Sequence, residues 1–242
     1  MEKINNIPKR IYYVWLGKNP LPKIVKKNLE NWRELNPGFE IIKIDEHNFD
    51  ISKYKYVEQA YRDGNWAFAS DVVRLDTIYN YGGFYFDTDV YFKKNINSLC
   101  KYKSVWAMEN SGLINSGLVL GAHKGDRDLE NILNIYSQKK YDKNKLDELI
   151  TVGIISDYFK SHGLKINNKI QYLDNDQIVF PTEYFAPYHW WGGGRITSKT
   201  IAVQEYLNSW GTNTKVNLKS KLIYNLRLKY PNLYVSLKKV KK

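Results

Sequence analysis

Cysteine is almost missing: Cys100 is the only one in 242 residues. An internal disulfide is excluded, and the chain suits a reducing compartment. No His or Asp relay stands beside Cys100, so it reads as an ordinary half-buried thiol rather than a nucleophile. Histidine is sparse too. His47, His123, His162 and His189 stand apart without metal-ligand spacing, and each reads as structural or surface. No apolar run approaches the about 18 residues of a spanning helix; clean runs such as "GLVLGA" are strand-sized. The opening "MEKINNIPKR" lacks the apolar core of a secretory signal, so a cytoplasmic chain is the expectation. Acid is absent from residues 215–242, which hold nine Lys/Arg. That leaves 28 basic against 25 acidic residues in 1–214, so the formal charge of +12 is mostly a property of the C-terminal end. The simplest division is a body, 1–214, and a basic extension, 215–242.

What is present is a globular composition: 43% hydrophobic and 15% aromatic, with 20 Tyr and 7 Trp. "RIYYVWL" (10–16) reads as a first strand, rich in aromatic and β-branched residues. "PLPKIVKKNLENWRELNPG" reads as a helix with prolines at its start, Ile24, Leu29, Trp32 and Leu35 on one face, and Asn36-Pro37-Gly38 as its stop. "FEIIKID" (39–45) is a second strand, and strand–helix–strand begins a parallel α/β sheet. Residues 65–83 form the next helix, with Phe68, Val72, Leu75 and Tyr79 as a buried stripe and Gly82-Gly83 as its end. Further strands are expected at 104–109 and 114–122, and 126–162 should be mainly helical.

The stretch "GGFYFDTDVYF" (82–92) poses a physical problem: an apolar, strand-like run ends in Asp87-Thr88-Asp89. Two neighbouring carboxylates at the end of a core strand repel one another and are costly to desolvate. At the C-terminal end of a strand in an open α/β sheet, ligands bind in the crevice. A divalent cation, Mn²⁺ or Mg²⁺, resolves the charge problem and keeps positions open for phosphate. Two plain turn aspartates are the bland alternative. "FYFDTDV" also matches the strand and D-x-D of aspartate-nucleophile phosphatases. That class needs its motif on the first strand and acids late in the chain, for which "LDNDQ" (173–177) is a weak candidate.

The longer context resembles one family. "ASDVVRLDTIYNYGGFYFDTDV" is similar to the signature of the D-x-D sugar transferases, which include fungal initiating mannosyltransferases, bacterial capsule and lipopolysaccharide enzymes and, more distantly, the glucosylating clostridial toxins. The matching positions are Ala69, Ser70, Asp71, Arg74, Ile78, Tyr79, Gly82, Gly83, Tyr85, Asp87 and Asp89. "IPKRIYYVWLGKNPLP", "NPGFEIIKID", "INSGLVLGAHKG", "TVG" (151–153) and "VFPTEYFAP" follow the family's order, so the resemblance spans about residues 7–210.

The resemblance implies a glycosyltransferase-A fold, Rossmann-like, with a mixed, mostly parallel sheet and helices on both faces. It implies transfer of a hexose from a nucleotide sugar, a UDP-sugar, to a glycan acceptor, with retention of configuration. Asp71 and Arg74 sit at i and i+3, which alone reads as a surface ion pair; by resemblance they bind the donor sugar. Val14 and Trp15 are core or rim residues that by resemblance meet the nucleotide base, and Tyr85 contacts the donor or is core. Asn115 lines the acceptor side. The segment "TIAVQEYLNSW" (200–210) departs from the family, whose usual His is absent. The toxin branch has Glu there, and Glu205, Asn208 and Trp210 keep its spacing. This implies that Asp87, Asp89, Glu205 and Asn208 hold the metal and that Trp210 contacts the diphosphate. "WWGGGR" (190–195) is a mobile lid or an ordered turn.

In the extension, Leu218, Leu222 and Leu226 recur at i+4, flanked by Lys219, Lys221, Arg227 and Lys229. A basic amphipathic helix suits an anionic membrane surface and an acceptor carried on a lipid; a solvated end is the alternative. The expected location is the inner face of the membrane. Nucleic acid is not expected as a partner, since no aromatics are interleaved on a basic groove in the body. A protein-modifying effector transferase would share the same site, and a non-enzymatic sugar- or nucleic-acid-binding module would lack metal-dependent release of the nucleotide.

Overall fold

The computed structural model describes residues 6–173, 177–189 and 193–206, together with Leu218, Leu222 and Leu226. Strand β1 (Arg10–Val14) passes through helix α1 (Lys23–Leu35) into β2 (Glu40–Ile44), and the two strands pair in parallel. Helices α2 (Lys55–Arg62) and α3 (Trp66–Tyr81) lead to β3 (Gly83–Tyr85), which lies parallel to β1 on its other side. The chain continues through β4 (Val90–Phe92), β5 (Ser104–Ala107), β6 (Leu120–Ala122), α4 (Arg127–Gln138) and α5 (Thr151–Ser161). Strands β7 (Gln171–Leu173) and β8 (Gln177–Phe180), helix α6 (Thr182–Phe185) and β9 (Ala202–Gln204) follow.

One sheet has seven strands in the order β2-β1-β3-β6-β5-β8-β7. All run one way except β6 and β7, so the sheet is mixed and mostly parallel, as expected. Successive side chains of a strand point to opposite faces, and the core divides accordingly. Tyr12, Val14, Tyr85 and Trp106 pack with Val72, Leu75, Leu133 and Phe159 on one face. Ile11, Tyr13, Phe84 and Val105 pack with Trp32, Phe86 and Phe185 on the other.

The acidic stretch is not one strand. Strand β3 belongs to the large sheet, while β4 pairs antiparallel with β9 in a separate two-stranded sheet. Residues 87–89 are the turn between the two. Helix α1 braces that small sheet with polar groups, because an edge strand leaves backbone groups that need partners. The Trp32 indole donates to Val90 O (2.7 Å), and Asn31 bonds both the N–H and the C=O of Phe92. Hence the buried face of α1 is Val25, Asn28, Leu29, Asn31 and Trp32, not the expected apolar stripe, and Ile24 is exposed.

Helix α3 differs from expectation in the same direction. It is covered nearly all round: Val72, Val73, Leu75 and Ile78 are buried, and so are Arg74, Asp76 and Thr77. The predicted strand 114–122 shrinks to β6 plus a single bridge at Ile114, because Asn115 to Gly117 form a turn. The 126–162 region is two helices separated by a loop with one short 3-10 turn (Leu146–Leu149). Helix α2 was not anticipated, since only Tyr56, Val57 and Ala60 mark its buried side.

Candidate active site

The site is built where β3 ends. Tyr85 is the last residue of the strand, and the Phe86 N–H still reaches Tyr12 O (3.3 Å). The chain then turns: the Asp87 N–H donates to Gly117 O (2.8 Å), and the Val90 N–H closes back on Asp87 O (3.0 Å). Asp87 therefore stands at the C-terminal end of a central strand, between β1 and β6, where α/β sheets bind ligands. Gly117 is required there. A Cβ at that position would lie 2.0 Å from Asp87 Oδ2.

Helix α3 supplies the charged wall. Arg74 donates to Asp71 Oδ1 (2.6 Å), approaches Asp87 Oδ1 (3.3 Å), and bonds Ser70 O and Ser70 Oγ (both 3.2 Å). Its guanidinium lies 4.8 Å from the centre of the Tyr85 ring, a cation–π contact. The Tyr85 hydroxyl donates to Asp87 Oδ1 (2.8 Å). The Arg74 side chain is 7% exposed and that of Asp71 16%, so this is not the surface ion pair that i, i+3 spacing alone suggests. Burial would lower the Arg74 pKa, but the charges of Asp87 and Asp71 and the Tyr85 ring raise it overall. Burial lifts Asp71 to about 6, against the pull of Arg74 and of the Thr151 hydroxyl. Burial likewise drives the Tyr85 hydroxyl well upward, so it stays a donor.

Asp89 faces the second wall. Gln204 Nε2 donates to Asp89 Oδ1 (2.8 Å), and the Glu205 N–H donates to Asp89 O (2.8 Å). Asn28, fully buried on α1, bridges Thr88 O (3.1 Å) and Glu205 Oε2 (2.9 Å) through one amide nitrogen. The buried oxygens Asn28 Oδ1 and Gln204 Oε1 have no hydrogen-bond partner among the described residues. Asp87, Asp89 and Glu205 each carry carboxylate oxygens, the donor type that Mg²⁺ or Mn²⁺ prefers. Among the described residues no three His, Cys, Asp or Glu side chains are already gathered in a metal-holding group. Each of the three carboxylates gives one oxygen to a protein partner instead.

The other residues singled out from sequence fall as follows. Val14 ends β1, and Trp15 follows it, 9% exposed, with its indole donating to Asn19 O (2.7 Å). Asn115 accepts from the Gly117 N–H (2.8 Å) and donates to Glu109 (3.1 Å), so it is tied to the same turn as Asp87. Asn208 and Trp210 lie outside the described residues, as do Trp190 to Gly192, Asp174 and Asp176. Beside them, Tyr188 bridges Gly194 and the Arg195 N–H reaches Pro187 O (3.1 Å). Sequence reasoning gave no role to Gly117 or Asn28. The Asn-Ser-Gly turn signal pointed at Gly117; nothing in the pattern marked Asn28, one of two amides on the buried face of α1.

The mixed, mostly parallel sheet with Asp87 just past the end of a central strand is an α/β fold of the glycosyltransferase-A type. A family model described as "Glycosyltransferase sugar-binding region containing DXD motif" matches residues 22–106, which carry Asp71, Arg74, Tyr85, Asp87 and Asp89. No curated protein matches the sequence. Among solved structures, "PaToxG Glycosyltransferase" is similar over 64% of this chain and 69% of its own, at 17% identity and a TM-score of 0.54, which speaks to the fold. The UDP-bound glycosyltransferase domain from the YGT toxin is 12% identical (TM-score 0.41; 67% of this chain, 69% of that one). A glycosyltransferase involved in the glycosylation of the major capsid of PBCV-1 is 11% identical (TM-score 0.40; 73% and 84%).

Proposed function

We propose that the chain is a divalent-metal-dependent, retaining hexosyltransferase that uses a UDP-sugar and extends a surface glycan. The observation that carries the reading is the linked set Asp71–Arg74–Asp87–Tyr85 at the end of β3, with Asp89 two residues on. A planar guanidinium and an acceptor-only carboxylate suit the hydroxyls of a sugar. Asp71 and Arg74 orient the sugar, Trp15 flanks the base, and Tyr85 with Arg74 holds Asp87 in one position. Asp87, Asp89 and Glu205, with Asn208, are the residues to hold Mn²⁺ or Mg²⁺, which supplies positive charge for the leaving diphosphate. The C1–O bond to phosphate breaks as the bond to the acceptor oxygen forms on the same face. The acceptor proton passes to the departing phosphate oxygen, so no protein nucleophile is needed.

The test is a thermal-shift panel of UDP-glucose, UDP-galactose, UDP-N-acetylglucosamine and GDP-mannose, each with and without Mn²⁺, repeated on Asp89→Ala. A donor at 100 times its Kd stabilises by about 2.7 kcal/mol. One member should raise the melting temperature only with Mn²⁺ and lose that effect in the variant. Metal-independent binding, or binding unchanged in Asp89→Ala, would refute the reading.

The chain works at the cytoplasmic face of a membrane. Among the described residues no helix is long and apolar enough to cross one. Leu218, Leu222 and Leu226 are each helical, Leu218 and Leu222 are exposed, and the surrounding residues 215–242 are basic without acid. Such a segment is drawn to anionic headgroups and lays its leucines into the interface. Co-sedimentation with phosphatidylserine-containing vesicles, but not with pure phosphatidylcholine, is expected; equal behaviour toward both would exclude it.

A further inference from the structure

The turn that follows β1 is held from outside. The Trp15 backbone N–H donates to Ile44 O (2.9 Å), and its indole N–H closes the turn on Asn19 O (2.7 Å). Between those bonds Gly17 (φ 89°) and Lys18 (φ 60°) are both left-handed. A side chain makes that conformation costly at Lys18, and such a residue persists only where its surroundings fix it. Three elements supply the fixing. Glu46, two residues past β2, accepts the Gly17 N–H on Oε1 (2.6 Å). Tyr61, from α2, donates its hydroxyl to that same oxygen (2.8 Å). Trp66, the first residue of α3, lies so close that a Cβ at Gly17 would fall 2.5 Å from its ring. Burial would raise the Glu46 pKa, but its hydrogen bonds, those from Gly17 and Tyr61 among them, bring it below the ordinary value. The acceptor is therefore a charged one, and its bonds are the stronger kind.

We propose that Glu46, steadied by Tyr61, is a positioning residue for the nucleotide base, fixing the turn of residues 15–19 in the conformation that presents Trp15. The inference rests on the base-flanking role given to Trp15 above. A turn that samples several conformations meets the base in only a fraction of them, and affinity falls by that fraction. With Glu46 in place the turn is settled before the ligand arrives, so binding loses little freedom there. The hydrogen-bond partners of Glu46 belong to this turn and to α2, not to the turn of residues 87–89. Its loss should weaken the hold on the nucleotide and leave the chemical step alone.

The experiment compares Glu46→Ala, Glu46→Gln and Tyr61→Phe with the wild type. The kinetics of Mn²⁺-dependent nucleotide release are measured with the nucleotide sugar that stabilises the wild type most in the panel above. The corresponding bare nucleotide is titrated separately with Mn²⁺. Glu46→Ala should raise KM for the donor about tenfold, the scale of one charge-assisted hydrogen bond, with kcat within about twofold. It should weaken the bare nucleotide by the same factor, because donor and nucleotide share the base. Glu46→Gln keeps an oxygen that accepts the Gly17 N–H, and should raise KM by no more than about threefold. Tyr61→Phe removes one of the two bonds to Glu46 Oε1 and should raise it about threefold. An unchanged KM in Glu46→Ala, a fall in kcat as large as the rise in KM, or a bare nucleotide bound as by the wild type overturns the inference. Should Glu46→Ala fail to fold, Tyr61→Phe with the KM of the wild type overturns it instead. A wild type that releases nucleotide from no member of the panel overturns the donor reading itself.

Discussion

Gly117→Ala isolates the position of Asp87 from the fold around it. A Cβ at Gly117 would sit 2.0 Å from Asp87 Oδ2, 2.6 Å from its Cγ and 3.1 Å from Asn115 Oδ1. Contact that short cannot stand, so something must move. The backbone there is pinned by Asp87 N–H to Gly117 O, whereas the Asp87 side chain is 32% exposed and can turn outward. The carboxylate therefore yields, giving up the Tyr85 hydroxyl and the approach of Arg74. The fold loses about 1 kcal/mol, or about 2–4 °C in melting temperature for a chain of this size. The site loses far more, since a displacement of about 1 Å at a reacting centre costs about a hundredfold. Gly121→Ala is the control. Its Cβ would meet the Phe84 ring at 2.5 Å inside the core, so there stability should fall steeply. The assay is Mn²⁺-dependent nucleotide release from the best donor of the panel, alongside thermal melts. A Gly117→Ala protein with wild-type turnover would refute the geometry assigned to Asp87.

Two further outcomes follow from the same network. Burial lifts Asp71 to about 6, above the ordinary carboxylate, so the folded state holds a proton there that the unfolded chain releases. That group's contribution to stability is present at low pH and is lost as pH rises through about 6. Asp71→Asn should therefore melt higher than the wild type at pH 7.5, lose that advantage near pH 5, and bind no donor sugar; a variant that melts lower at pH 7.5 would contradict this. Asn28→Ala removes the bridge between Thr88 O and Glu205, and should weaken Mn²⁺ in a titration about tenfold while donor recognition at Asp71 is retained; unchanged Mn²⁺ affinity would show that Glu205 is placed without Asn28.

Patterns along the chain were enough to read the alternation of strands and helices, the glycine stop after α3 and the carboxylate pair at a strand end. These are local: periodicity, turn chemistry and the cost of adjacent charges act over a few residues. The same local rules misjudged α1 and α3, where they predicted a single apolar stripe. In both helices polar groups are buried because a distant element needs them. Asn31 and Trp32 complete the backbone of β4, some sixty positions away, and Arg74 sits between Asp71 and Asp87.

Residue types and spacing thus established an α/β chain with a candidate acidic site on a strand end. Long-range packing settled the rest: that 87–89 is a turn joining two sheets, that Gly117 must lack a side chain, and that Asn28 ties Thr88 to Glu205. The reason is physical. A hydrogen bond between residues 60 or 177 apart leaves no period in the sequence, and its partners are chosen only when the helices close on the sheet and exclude water.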